Sequence, residues 1–169
     1  TSTIRSSGCG LCSAVMVAHR LIPNCDFDLK DALDLSYEVK ANYKRGTNYP
    51  RFAPAFAEKL GLRLEMTRDI EALINCLRTG GAAVFLAKGD REGQVGLFTH
   101  GAHYVAVINE EPDGRLAILD PSLKDTKYSE EGRLGKVEVT RHGIVLAEAK
   151  YLVEEAHETS MPYYLFWRQ

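Results

Sequence analysis

Three features of the 169-residue sequence predict an α+β fold. Apolar residues recur at helical spacing through the first half. In the second half they alternate or run unbroken at strand length, and a turn signal joins two of those strands as a hairpin. Helices first and an antiparallel sheet second predict a single domain over 1–169. Within it a helical lobe covers about 1–81 and a β lobe about 82–169, with a cleft between them.

The first helix grows out of Ser6-Ser7-Gly8-Cys9-Gly10-Leu11-Cys12. Ser6 and Ser7 are expected N-caps, because a hydroxyl oxygen can accept from the orphan N–H groups of a first turn. Ala14, Val15, Met16, Val17 and Ala18 make an almost wholly apolar helix body, which predicts a buried central helix. Cys9 then sits at the positive end of the macrodipole, where thiolate is favoured over thiol. Ile22-Pro23-Asn24 breaks the pattern. Asp28 caps a second helix expected to run to about Tyr43, with Leu29, Ala32, Leu33, Leu35, Tyr37 and Val39 as its stripe. After a turn-rich loop, Pro50 opens a third helix carrying Phe52, Phe56 and Leu60 on one face, and Gly61 stops it.

Leu62, Leu64 and Met66 alternate with Arg63 and Glu65 as a half-buried strand. Asp69 caps a helix over Ile70 to Arg78. Ala82 to Ala87 is an unbroken apolar run, a central strand. Lys88 to His100 is a long glycine-bearing loop of the kind that carries function, and its glycines suggest mobility. Tyr104 to Ile108 and Leu116 to Leu119 pair through the turn Glu111-Pro112-Asp113-Gly114, and Asp120-Pro121 ends the second strand. Short strands at 137–139 and 144–146, a helix near Tyr151 to Ala156 and an aromatic strand over Tyr163 to Trp167 complete the chain.

Hydrophobic residues make up 45% and charged residues 26% of the sequence, ordinary values for a soluble globular protein. A net charge of −2 with no basic stripe argues against a dedicated nucleic-acid binder. No run of about 18 apolar residues is present to span a membrane. The four cysteines are too few for a disulfide scaffold. Cys76 reads as a small buried hydrophobe, and Cys25 lies in a loop. The informative pair is Cys9 and Cys12.

A thiolate that attacks a carbonyl needs a partner to move protons, and histidine suits this near neutral pH. Of the five histidines, His19 is late in the first helix, His142 and His157 lie in charged stretches, and His100 sits in the glycine loop. His103 stands apart, at the rim of a core strand behind Gly101-Ala102. Alone it could be a satisfied core residue, but the hairpin brings Asp120 almost opposite it, where a carboxylate can orient an imidazole. Cys9, His103 and Asp120 form a nucleophile, base and orienter set.

These segments carry a resemblance. GCGLCSAVMV is similar to the nucleophile segment of papain-fold cysteine peptidases related to the bacteriocin-processing, double-glycine-leader peptidases. HGAHYVAVI and LAILDPS resemble that family's histidine strand and Asp-Pro segment. The likeness spans roughly Thr3 to Trp167. It implies a papain-like fold in a bacterial protein, with Cys9 as nucleophile, His103 as general base and acid, and Asp120 as orienter. Two departures stand out. The family's glutamine, six residues before the nucleophile, is replaced here by Thr3, so a Thr3, Ser6 or Ser7 hydroxyl is the candidate to assist the Cys9 N–H in an oxyanion hole. Loss of one oxyanion donor typically costs about 10²–10³ in rate. The family's usual proline is Leu11, and Cys12 follows it as a candidate regulatory thiol.

The resulting expectation is a cysteine-type peptidase that acts on a peptide or protein through a thioester, with no cofactor and no metal. Acyl transferase and amidase outcomes use the same site. The family's transporter-fused members carry membrane domains, which this sequence lacks. A free-standing enzyme at the cell surface or outside the cell is therefore favoured over a cytoplasmic one. The alternatives are a thiol–disulfide redox protein using Cys9-Gly10-Leu11-Cys12 and a non-catalytic binding member of the same fold. A zinc site on Cys9, Cys12 and two histidines is a further alternative, which lacks a second close ligand pair.

Overall fold

The computed structural model describes residues 8–43 and 46–169. Its centre is a seven-stranded antiparallel sheet between two layers of helix. In chain order the elements are α1 (Cys9–Leu21), α2 (Leu29–Glu38), β1 (Asn42–Tyr43), β2 (Gly46–Thr47), α3 (Tyr49–Leu60), β3 (Leu62–Thr67), α4 (Ile70–Arg78) and β4 (Ala82–Lys88). There follow β5 (Ala102–Glu110), β6 (Leu116–Leu119), a 3₁₀ turn (Lys127–Ser129), β7 (Val137–Val139), β8 (Val145–Ala147), α5 (Ala149–Glu155) and β9 (Tyr163–Arg168). The sheet order is β3-β9-β4-β5-β6-β8-β7. The α+β expectation holds.

The period of two along each strand sorts side chains into two cores. Ala82, Val84, Ala106, Tyr164 and Phe166 face α1, α2 and α3, whereas Ala83, Phe85, Ala87, Val105, Val107, Tyr163 and Leu165 face Leu73, Cys76 and Leu77 of α4 and Leu152 of α5. Covering both faces explains why β4 reads as an unbroken apolar run. β3, from the first half, forms the sheet edge beside β9, and α4 packs against the face opposite α1.

α1 starts at Cys9, with Gly8 at the N-cap and no side-chain cap. The expected caps Ser6 and Ser7, and Thr3, lie outside the described residues. α2 is held by a reciprocal capping box between Asp28 and Asp31. It ends at Glu38 rather than Tyr43, because Lys40 adopts φ +56° and turns the chain, so that Asn42 and Tyr43 pair with Thr47 and Gly46. The i,i+4 stripe of the sequence did not register that turn.

α1, α3 and the sheet meet in an aromatic cluster. Tyr49 stacks on Tyr104 at 4.4 Å, Phe52 on Phe56 at 5.8 Å, and Phe166 meets Phe56 edge-on at 5.3 Å. Each such ring fully buried is worth about 1.5–3 kcal/mol in transfer free energy. Tyr49 also donates from its hydroxyl to the Gly10 carbonyl at 2.7 Å. The start of α1 is thereby tied to α3 and β5.

Candidate active site

β5 carries His103 and Tyr104 on opposite faces at its first turn out of the loop, and α1 brings Cys9 to the same place. Cys9 is partly exposed, whereas His103 and Asp120 are only 7% and 6% accessible. The hairpin pairs Ala106 with Leu119, and a bulge between Val107 and Asn109 shifts the register near the turn. Asp120 thus falls opposite Val105, and His103 is its diagonal neighbour on the same face. That diagonal is within reach of long side chains. His103 Nε2 donates to Asp120 Oδ1 at 2.7 Å. A carboxylate that is ionised can only accept, so the proton sits on Nε2 and Nδ1 is the nitrogen left for Cys9.

The electrostatics of Cys9 and His103 move in opposite directions. Burial alone would raise the Cys9 thiol pKa, but the hydrogen bond and charge of His103, with the backbone N–H groups of Tyr104 and Gly10, bring it below 9.0. Burial alone would lower His103, yet hydrogen bonds and charge from Asp120 and Cys9 hold it above 6.5. An arrangement of this kind favours thiolate and imidazolium together. Asp120 is held well below the usual carboxylate range. Burial opposes this, and the His103 hydrogen bond and the Lys127 charge outweigh it.

Sequence reasoning missed the groups behind Asp120. Its Oδ1 also accepts from the Ser122 N–H at 2.9 Å and the Ser122 hydroxyl at 3.1 Å, while Oδ2 accepts from Lys127 Nζ at 2.6 Å and the Tyr128 hydroxyl at 2.7 Å. Lys127 and Tyr128 lie in the 3₁₀ turn, and a polar SLKDTKYS stretch after Asp120 carries no pattern that predicts their burial. Cys12 is one turn along α1, with its thiol pKa raised by burial and by the Cys9 charge. Cys76 is buried as expected, with its pKa pushed up to about 12, chiefly by burial.

Hollows open on both sides of β5. One of about 1040 Å³ is bordered by Phe98, His100, His103, Ser122, Lys124 and Thr126. The other, about 430 Å³, is bordered by Tyr43, Thr47, Asn48, Tyr49, Pro50 and Tyr104. Hydrogen bonds tie the 88–100 loop to itself and to Glu130. Asp90 receives the Gly96 N–H at 2.7 Å and holds His100 Nδ1, while Glu130 takes His100 Nε2 at 2.7 Å. A Cβ on Gly89 would lie 1.9 Å from the His100 carbonyl oxygen, so glycine there permits close backbone approach. Among the described residues no three His, Cys, Asp or Glu side chains gather as metal ligands, and no helix is long and apolar enough to cross a membrane.

No protein-family profile and no curated protein matches the sequence. Solved structures do resemble it. The peptidase domain of Streptococcus ComA, a bifunctional ABC transporter involved in a quorum-sensing pathway, superposes with a TM-score of 0.55 at 16% identity, covering 100% of this chain and 96% of that one. A chain from Bacillus anthracis described as a C39-like peptidase superposes with a TM-score of 0.59 at 15% identity, covering 96% of this chain and 89% of that one. The sheet and its two helical layers therefore form the papain-like α+β fold of the C39 peptidases.

Proposed function

We propose that the chain is a cysteine-type peptidase that cleaves a peptide bond with Cys9, His103 and Asp120. The observation that carries this reading is the relay from Cys9 through His103 to Asp120, with the thiol drawn down and the imidazole drawn up. In the reaction the Cys9 thiolate attacks the scissile carbonyl carbon, and the oxygen takes up the electron pair. The first-turn N–H groups of α1, which have no intrahelical acceptor, are the donors available to that oxygen. Collapse expels the amine, which takes the proton from His103 Nδ1 and leaves a thioester on Cys9. Neutral His103 then removes a proton from water, whose oxygen attacks the thioester. Collapse of that adduct expels the Cys9 thiolate and leaves the proton on His103, which restores the resting pair. Asp120 keeps Nδ1 turned to the sulfur through both steps.

The fold shared with C39 peptidase domains supports a peptide or protein substrate, and the hollow that His103 borders offers room for a chain beside the imidazole. The test is iodoacetamide alkylation across pH 4–9 with peptide mapping, on wild type and His103→Ala. Rapid labelling of Cys9 alone below pH 7, with its midpoint moved upward in His103→Ala, supports the reading. Ordinary thiol behaviour of Cys9, or indifference to His103→Ala, overturns it.

A further inference from the structure

Asp120 has two oxygens and uses them differently. Oδ1 serves His103 Nε2 and Ser122, and Oδ2 is occupied by Lys127 Nζ and the Tyr128 hydroxyl. Lys127 is itself buried. Its Nζ is bonded to Asp120 Oδ2 and, at 2.8 Å, to the Ser122 hydroxyl, acceptors that suit an ammonium. The Ser122 hydroxyl lies 3.1 Å from His103 Nε2 and also donates to Asp120 Oδ1, so lysine, serine, carboxylate and imidazole form one connected buried cluster. Nothing in a hydrolytic relay needs a buried cation at that point. A buried carboxylate could be satisfied by neutral donors, as Tyr128 and Ser122 already show.

We propose that Lys127 is a positioning residue that offsets the Asp120 charge, and so limits how tightly His103 holds its proton, while locking Oδ1 toward the imidazole. The physical need is plain. A buried carboxylate with no counter-charge would pull the imidazolium so strongly that His103 would give up its proton to a leaving amine poorly, and the best acid–base group titrates near the working pH. Lys127 supplies the opposing cation, screened little by water because the cluster is buried. The groups bonded to or acting on His103 are Cys9 from α1 and Asp120 at the end of β6, with Lys127 and Tyr128 of the 3₁₀ turn behind the carboxylate, while His100 of the 88–100 loop, Lys124 and Glu130 border the same hollow. Arg133 lies behind Lys127, donating to its carbonyl at 3.3 Å, and Glu130 pairs with that guanidinium at 3.1 Å. Lys127 is thus the cation directly bonded to Asp120.

This inference rests on the proposed relay, and its test separates the two. The ring signals of His103 are titrated by NMR in isotopically labelled full-length protein. In Lys127→Met the His103 midpoint is expected to rise by about one pH unit, since a nearby cation that disfavoured imidazolium has gone. Lys127→Arg keeps the charge and should stay near the wild-type midpoint. Tyr128→Phe removes the other Oδ2 donor without removing charge and should move it far less. An unchanged or lowered midpoint in folded Lys127→Met overturns the proposal, as does an equal rise in Tyr128→Phe. If Lys127→Met does not fold, Lys127→Gln is judged by the same criterion. Should neither neutral variant fold, Lys127 is a structural pin and the assignment falls. Cys9→Ala tests the relay alone. There the His103 midpoint should drop, and no change would remove the proposed function whatever Lys127 does.

Discussion

At the scale of single residues, Asp120 has the most to lose. Its carboxylate is buried, accepts from His103, Ser122, Lys127 and Tyr128, and titrates far below an exposed aspartate. A depressed folded-state pKa means that the unfolded chain binds the proton more readily. The stabilisation is therefore complete above the ordinary carboxylate pKa of about 3.9, and it is lost as pH falls through the folded value. Asp120→Asn should flatten that acid-side loss in urea unfolding followed from pH 2 to 7. It should also cost about 3–5 kcal/mol at neutral pH, because Lys127 is left buried without its partner. On the proposed function, peptide-bond cleavage by the same variant should fall by about 10²–10⁴, the range for a wrongly oriented imidazole. Wild-type-like cleavage by folded Asp120→Asn would remove Asp120 from the relay. Cys9, His103 and Asp120 stand out in the sequence as candidates because each sits at a boundary, a helix start, a strand start and a strand end. Ser122, Lys127 and Tyr128 were not, since burial of a lysine in a loop follows no periodicity.

At the scale of elements, capping and close approach decide where segments begin and how they meet. The Asp28 box was visible as an aspartate ahead of an apolar stripe, and Asp28→Ala should lower the midpoint of chemical denaturation with the slope unchanged. The 88–100 loop shows close approach. The backbone at Gly89 lies against the His100 carbonyl, and Asp90 ties the loop to Gly96 and His100. Gly89→Ala should destabilise the protein by about 1–3 kcal/mol through forced backbone displacement. A loop that was open there would show less than about 0.5 kcal/mol, the usual size of a surface substitution. The early end of α2 has a related cause. The side-chain stripe continued past Glu38, but Lys40 entered the left-handed region and redirected the chain into β1 and β2.

At the scale of the molecule, β9 holds the sheet together. It pairs with β3 on one side and β4 on the other, and it contributes Tyr164 and Phe166 to one core and Tyr163 and Leu165 to the other. Without it β3 loses its only sheet neighbour among the described residues. Phe166→Ala should cost about 3–5 kcal/mol, read as a lowered urea midpoint with the slope unchanged. A cost under about 1 kcal/mol would mean that the α3-facing core does not depend on this strand. The fully buried Phe166 ring and its edge-on contact with Phe56 argue against that.

The sequence by itself determined most of the secondary structure, the α+β class, and the positions from which Cys9, His103 and Asp120 approach one another. Those features follow from periodicity, capping residues and one hairpin turn, which are local. Only the tertiary structure decided that the sheet is covered on both faces, that β3 crosses to its edge, and that Lys127 lies against Asp120. Each of these joins residues from separate elements, or puts a charged loop side chain out of water. Such arrangements are settled by the competition between burial and pairing, to which local pattern is blind.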